Sequence, residues 1–179
     1  MTKNVKNLTA IALMAAVICI LGPLSLPIGP VPISFTNLAI YITMYVLDMK
    51  KGTVSYLIYL LIGLVGVPVF SGFTSGPAKL LGPTGGYLIG FILMCLITGF
   101  FTDRFYKKRL VCIAGMVLAT AVTYAIGTLW LAYSAKMTFA AALAAGVLPF
   151  ILEDLVKIVA AALIGPVIKT RLIRAGFGS

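Results

Sequence analysis

Residues 111–133 read VCIAGMVLATAVTYAIGTLWLAY and contain no charged side chain. At 1.5 Å per residue, a helix over this stretch would be about 34 Å long, enough to cross a hydrocarbon core of about 30 Å. Hydrophobic residues make up 61% of the 179-residue chain and charged residues 10%. Soluble domains average about 45–50% hydrophobic residues and about 25% charged residues. The stretch and the composition together predict a helical membrane protein.

Five further apolar runs predict five more membrane spans. They cover about 8–21, 34–47, 52–65, 87–101 and 144–168, with 111–133 fifth in chain order. Lys3 and Lys6 precede the first run as in a signal peptide, but no convincing small-residue cleavage site follows it, so we expect a retained first helix. We therefore expect an all-α fold of six transmembrane helices in a single domain, residues 1–179.

The segment between the third and fourth spans, residues 66–86, is irregular without being hydrophilic. It contains six glycines and three prolines, and its one charged residue is Lys79. At membrane depth, irregular backbone is tolerated only where it is buried in protein or lines a cavity. We expect this Gly/Pro-rich segment to fold back over the helices as a lid.

The distribution of charge predicts the orientation. The chain has 14 Lys and Arg residues and a net charge of +10. If the N-terminus is inside, eleven of these basic residues flank the inner ends of the spans, and two, Lys79 and Lys136, lie in outer loops. This excess favours cytoplasmic N- and C-termini and an outer lid. Because the basic clusters flank apolar runs, anionic lipid rather than nucleic acid is the expected partner.

Two classes of chemistry are disfavoured. The chain has no G-x-x-x-x-G-K-[S/T] phosphate loop, so we expect no ATP hydrolysis by that chemistry. It has no histidine and three scattered cysteines, so we expect no zinc cluster and no cofactor.

Glu153, Asp154 and Lys157 are the ionisable residues that lie inside a predicted span. Asp154 and Lys157 are three residues apart and share a helix face, where they can neutralise each other. With the sixth helix counted from Ala144, Asp154 lies about 15 Å along it. One interpretation is an ion pair that ties two helices together. The favoured one is the polar floor of an outward-facing pocket, with Glu153 pointing about 100° away from Asp154.

Small residues recur on the first helix, where Ala12 and Ala16 form an A-x-x-x-A pattern. Such spacing lets a second helix approach closely. The alternative is that alanine is simply common in apolar helices.

Residues 63–91, GLVGVPVFSGFTSGPAKLLGPTGGYLIGF, resemble the signature of the BioY family, the substrate-binding membrane subunits of biotin ECF transporters. The string LGPTGGY at 81–87 is the most specific part. Three supporting segments are similar to that family: PVPI at 30–33, Gly127 with Trp130 and Leu131, and Pro149 and Phe150 followed by Asp154 and Lys157.

The resemblance implies a multi-pass subunit of the bacterial plasma membrane that captures biotin outside the cell. A transmembrane coupling protein and two cytoplasmic ATPases would be its partners, and Ala12 and Ala16 would face the coupling protein. The residues expected to bind biotin are Asp154 and Lys157 on the ureido ring, Trp130, Phe35 or Tyr87 on the bicyclic ring, Lys79 on the carboxylate, and Asn37, Gly82 and Thr84.

Three other functions stay open at this point. The same architecture could serve another vitamin, such as thiamin or riboflavin. An intramembrane enzyme could use Asp154 and Lys157 as acid and base, but the chain lacks a second catalytic cluster, so we expect no enzyme. The third alternative is a purely structural membrane subunit.

Overall fold

The computed structural model describes residues 3–27 and 29–175, apart from the side chain of Lys3. The chain is mostly helical, and the expected domain of residues 1–179 extends beyond the described residues at both ends. Within the described part there are eight helices and one short hairpin. They are α1 Lys3–Leu21, β1 Ser25–Leu26, β2 Ile33–Ser34, α2 Thr36–Val46, α3 Met49–Leu64, α4 Pro77–Leu81, α5 Gly85–Phe105, α6 Arg109–Ser134, α7 Phe139–Gly146 and α8 Ile151–Arg174.

Three of these helices are long and apolar enough to cross a membrane by length and composition. They are Asn4–Leu21 in α1, Gly85–Phe105 and Arg109–Ser134. Helix α2 is apolar but has only 11 residues. Helix α8 has 24 residues, and acidic side chains lie in its first turn.

The predicted sixth span is wrong at its start. A helix was expected from Ala144, but α7 ends at Gly146 and α8 begins only at Ile151. Pro149 explains the break, because proline lacks a backbone N–H and disfavours helical conformation in the residue before it. Asp154 therefore lies in the first turn of α8 and not about 15 Å along a helix.

Buried tyrosines join the helices around the middle of the bundle. Tyr41, Tyr45, Tyr56 and Tyr59 from α2 and α3 are fully buried. The Tyr56 hydroxyl donates to the carbonyl oxygen of Leu88 at 2.7 Å, and the Tyr41 hydroxyl lies 2.6 Å from that of Thr120. A buried tyrosine hydroxyl usually has such a partner. These bonds fix α2 and α3 against α5 and α6.

Helices α5 and α6 approach closely because glycines face large side chains. A Cβ on Gly127 would overlap the ring of Tyr87, and one on Gly86 would overlap the Cβ of Trp130. The close approach places the beginning of α5 directly against the second half of α6. Both helices contribute side chains to the cavity described below.

The segment 66–86 packs against the ends of α1 and α3. Phe70 is fully buried, and its ring meets that of Tyr59 edge-on with centroids 5.6 Å apart. The amide of Gly76 donates to the carbonyl oxygen of Gly63, and the amide of Gly72 to that of Pro23. The segment is thereby held at the same end of the bundle as the β1–β2 hairpin.

Candidate functional site

A cavity lies next to the hairpin loop and the segment 66–86. Its volume is about 650 Å³ with the space at its open mouth included. Helices α2, α3, α5, α6 and α8 and both loops contribute to its wall. The lining residues are Val31, Pro32, Ser34, Thr36, Asn37, Tyr59, Ser71, Thr84, Tyr87, Leu88, Phe91, Met94, Thr120, Thr123, Tyr124, Gly146, Phe150, Glu153, Asp154 and Lys157.

Asp154 forms the centre of a polar network at one side of this cavity. The side-chain amide of Asn37 donates to its Oδ1, and the hydroxyl of Tyr124 donates to its Oδ2 at 2.5 Å. The residue is 7% exposed, so an ionised carboxylate needs these donors. Its position in the first turn of α8 adds a favourable interaction with the helix dipole.

Lys157 is the cation of the same network and is equally buried. Its Nζ donates to the carbonyl oxygen of Ser34 at 2.5 Å and to Oδ1 of Asn37 at 3.0 Å. It also forms ion pairs with Glu153 and with Oδ1 of Asp154, the second at 3.6 Å. Asn37 thus contacts both charged groups, accepting from one and donating to the other.

The structure brings five of the expected binding residues to the cavity: Asn37, Thr84, Tyr87, Asp154 and Lys157. Tyr87 donates its hydroxyl to the carbonyl oxygen of Gly146 at 3.0 Å, which ties α5 to the end of α7. Its ring remains part of the cavity wall.

The other four expected binding residues lie outside the lining. Trp130 donates its Nε1–H to the carbonyl oxygen of Gly82 at 2.9 Å and so joins α6 to the segment 66–86. Phe35 is 46% exposed, and the Nζ of Lys157 lies 5.8 Å from its ring centroid. Lys79 lies in the short helix α4, half-buried.

The two alanines expected at a partner surface both lie on the exposed side of α1. Ala15, between them in sequence, is 2% exposed and faces the core. Leu8, Leu13 and Ile20 are also exposed on this helix. The docking role itself stays a prediction.

Sequence reasoning missed Tyr124 and undervalued Glu153. Tyr124 is one of eight tyrosines in an apolar chain, and nothing in the local pattern distinguishes it. Glu153 did carry a signal, because it precedes Lys157 by four residues, the spacing of a helical ion pair. The structure forms that pair, and Glu153 lines the cavity.

Tyr124 also lines a second depression beside the cavity. This groove runs between α6 and α8, and its wall contains Val117, Ala121, Ile151, Leu155 and Ile158. Thr120, Tyr124 and Asp154 line both spaces. The Tyr124–Asp154 hydrogen bond therefore lies where the polar side of the cavity and this apolar groove meet.

Comparison with known proteins gives a consistent result. The model of the BioY family matches residues 1–174. The chain is 36% identical over 159 residues to the biotin transporter BioY2 of Lactococcus lactis subsp. cremoris, covering 89% of this chain and 87% of that protein. It is 35% identical over 160 residues to the biotin transporter BioY of Thermotoga maritima, covering 89% and 93%.

A solved structure is similar over nearly the full length. It is the crystal structure at 2.1 Å of the S-component for biotin from an ECF-type ABC transporter. The TM-score is 0.87 and the sequence identity 32%, with 95% of each chain covered.

The hydrogen bond from Tyr124 generates a test of the network. Tyr124→Phe removes the donor to Oδ2 of Asp154, and hydrogen bonds to charged groups contribute about 1.5–3 kcal/mol. We expect a lower thermal unfolding temperature for the detergent-purified variant. The matched control is Tyr133→Phe, because Tyr133 is on the same helix and 83% exposed. Equal unfolding temperatures for the two variants would show that the Tyr124 bond contributes nothing.

Proposed function

The chain belongs to the BioY family, and on that premise we propose that it captures biotin at the outer face of the membrane as the S component of an ECF-type uptake transporter. The observation that carries the proposal is the cavity, with one charged, hydrogen-bonded side and an otherwise mostly apolar wall. Biotin has matching chemistry, a polar ureido ring fused to an apolar sulfur-containing ring with an acidic side chain.

The ureido ring fits the polar side of the cavity. It offers two N–H donors and one carbonyl acceptor. Oδ1 and Oδ2 of Asp154 each accept one hydrogen bond from the protein, and a carboxylate has about four acceptor sites in all. Asp154 can thus accept from a ligand N–H, and Lys157 can donate to the ligand carbonyl. Hydrogen bonds of this charge-assisted kind are the strong ones.

The rest of the ligand fits the remaining wall. Tyr87, Phe91 and Phe150 would contact the apolar ring, as aromatic side chains do in most ligand sites. The acidic side chain would point toward the loops, where the hydroxyls of Ser71 and Thr84 line the cavity. Lys79, in the helix between those two residues, would add a positive charge there.

The expected residues outside the lining have supporting roles in this proposal. The hydrogen bond between Trp130 and Gly82 supports a lid role for the segment 66–86, because it would hold this segment over the cavity. Phe35 lies beside the ammonium of Lys157, and a cation near an aromatic face is favourable. It would help to hold Lys157 when the ligand binds.

We propose further that six helices span the membrane with both termini in the cytoplasm. These six would be α1, α2, α3, α5, α6 and α8. The Lys and Arg clusters at 50–51, 104–109 and 169–174 lie at helix ends away from the cavity, as the positive-inside rule requires if the cavity opens outward. A chain of this kind without an ATP site would be driven by the coupling protein and two ATPases of an ECF module, and it would transport biotin without chemically changing it.

The first prediction from this proposal is selective binding. We expect the detergent-purified chain to bind biotin one to one by isothermal calorimetry, far more tightly than thiamin or riboflavin, because their rings do not match the ureido-binding groups. Biotin should be recovered unchanged after dissociation. Equal or stronger binding of another vitamin would contradict the assignment to biotin.

The second prediction concerns the charged pair. Asp154→Ala and Lys157→Ala should each weaken biotin binding strongly. Asp154→Ala removes the proposed acceptor for a ureido N–H, while Lys157→Ala removes the proposed donor to the ligand carbonyl and leaves Glu153 and Asp154 without their shared cation, and removing one partner of a buried pair costs about 3–5 kcal/mol. Lys169→Ala is the matched control, since it removes a lysine of the same helix whose partner is Asp103. Unfolding temperatures would be measured in parallel. Normal affinity in folded Asp154→Ala protein would favour a purely structural ion pair.

The third prediction concerns coupling. Ala12→Trp or Ala16→Trp should abolish biotin uptake by cells while leaving binding by the isolated chain nearly intact, because a large side chain prevents close helix contact. Leu118→Trp is a control, since Leu118 is 50% exposed on α6. Normal uptake by the alanine variants would place the docking surface elsewhere, and loss of binding would make the alanines part of the packing.

A further inference from the structure

We propose that Glu153 is an exchangeable partner of Lys157 that biotin must displace, so that Glu153 lowers the affinity of the site for its ligand. The inference rests on the proposed function and extends it, since it gives Glu153 a role opposite to that of Asp154. It follows from counting the hydrogen bonds that Lys157 can make.

An ammonium group has three N–H donors and no acceptor. Three oxygen partners surround the Nζ of Lys157 at hydrogen-bonding range. They are the carbonyl oxygen of Ser34, Oδ1 of Asn37 and Oε1 of Glu153. Asp154 is farther away, at 3.6 Å. Lys157 therefore has no spare donor for a ligand carbonyl, and one of its three partners has to leave.

Two of the three partners are fixed. The Ser34 carbonyl belongs to the backbone of β2, which pairs with β1. The side chain of Asn37 donates to Asp154, and its Oδ1 accepts a second hydrogen bond from the amide of Leu38 at 3.0 Å. Moving either group would disturb the hairpin or leave a buried carboxylate without one of its donors.

Glu153 is the partner that can leave. Apart from the ion pair with Lys157, no hydrogen bond from the described residues reaches either of its carboxylate oxygens. Both oxygens are buried, while the side chain as a whole is 23% exposed, against 8% for Lys157 and 9% for Asp154, so the carboxylate has to rotate when it leaves Lys157. Glu153 also lies in the first turn of α8, where the helix dipole still favours a negative charge after Lys157 is lost as a partner. Release of Glu153 therefore breaks no further hydrogen bond among the described residues, whereas movement of Ser34 or Asn37 would break others.

The charge balance of the site points the same way. Two carboxylates, Glu153 and Asp154, share one ammonium, and within the described residues no other charged group lines the cavity. Only Asp154 has two neutral donors from the protein to stabilise it. Asp154 is thus the carboxylate that the site retains, and Glu153 is the one that competes with the ligand.

The experiment compares Glu153→Gln with the wild-type chain by calorimetry, using biotin and an analogue in which sulfur replaces the ureido oxygen. Glutamine keeps the size of the side chain but is a weaker competitor for Lys157, because charge-assisted hydrogen bonds are roughly twice as strong as neutral ones. We expect biotin to bind roughly three- to tenfold more tightly to the variant. The gain for the analogue should be less than about twofold, because sulfur is a weak acceptor.

The analogue separates hydrogen-bond exchange from a general effect of charge. Both ligands carry the same acidic side chain, so mere removal of a negative charge would strengthen both equally. Asp103→Asn is the matched protein control. This variant removes a carboxylate whose partner is Lys169, a lysine of α8. Asp103 itself lies outside the cavity wall, because it is nine residues beyond Met94, a residue of that wall, and thus about 13 Å farther along α5. The affinity of this variant for biotin should equal that of the wild type.

Weaker or unchanged biotin binding by Glu153→Gln would overturn the proposal, and so would an equal gain for the two ligands. Glu153→Ala provides a second variant with no side-chain acceptor, and it should bind biotin at least as tightly as Glu153→Gln. If the wild-type chain binds no biotin, the proposed function fails and the exchange fails with it. If the wild type binds biotin and both Glu153 variants bind it less well, only the exchange is wrong.

Discussion

The hydrogen-bonded contact between Asn37, Asp154 and Lys157 is the interaction on which the cavity depends. Two opposite charges are buried there at 7% exposure each, and burying a charge is costly unless it is paired and hydrogen-bonded. Asn37 satisfies both charges at once, with its amide nitrogen on one and its oxygen on the other. Because Asn37 is on α2 and the charges are on α8, the same contact fixes these two helices beside each other.

The position of this contact follows from the break before α8. Pro149 ends the helical run of α7, so the chain turns and α8 begins again at Ile151. The two acidic residues then fall in a first turn, where the backbone N–H groups are not used by the helix itself. A continuous helix from Ala144 would have placed them in its middle, without that stabilisation. The irregular backbone at 147–150 thus puts the carboxylates at the wall of the cavity.

Much of the fold could be predicted because membrane-spanning helices have a strong sequence signal. The apolar runs at 87–101 and 111–133 correspond to α5 and α6, which the structure extends by a few residues at each end. The start of α8 was missed because apolar residues continue through 144–152 with Pro149 as the one interruption. Within an apolar run, hydropathy cannot distinguish one long helix from a short helix, a turn and a second helix.

The candidate site was predictable only in part, for a related reason. Charged residues stand out in an apolar chain, so Asp154 and Lys157 could be identified from the sequence. Tyrosines and threonines do not, because they occur throughout the helices and most of them pack or bond to the backbone. Tyr124 and Thr120 gain their roles only when α6 meets α2 and α8. The direction of Trp130 is likewise a result of tertiary contact, since its ring nitrogen bonds to the loop at Gly82.

The distribution of contacts separates the cavity from the exposed face of α1 within one small chain. Among the described residues, none from α1 lines the cavity. The link between them is α3, because Tyr59 lines the cavity while Ser55, one turn earlier, donates its hydroxyl to the carbonyl oxygen of Ile11 at 3.0 Å. Ile11 precedes Ala12, the first of the two exposed alanines. The exposed face of α1 is therefore connected to the cavity wall through one hydrogen bond and one turn of α3.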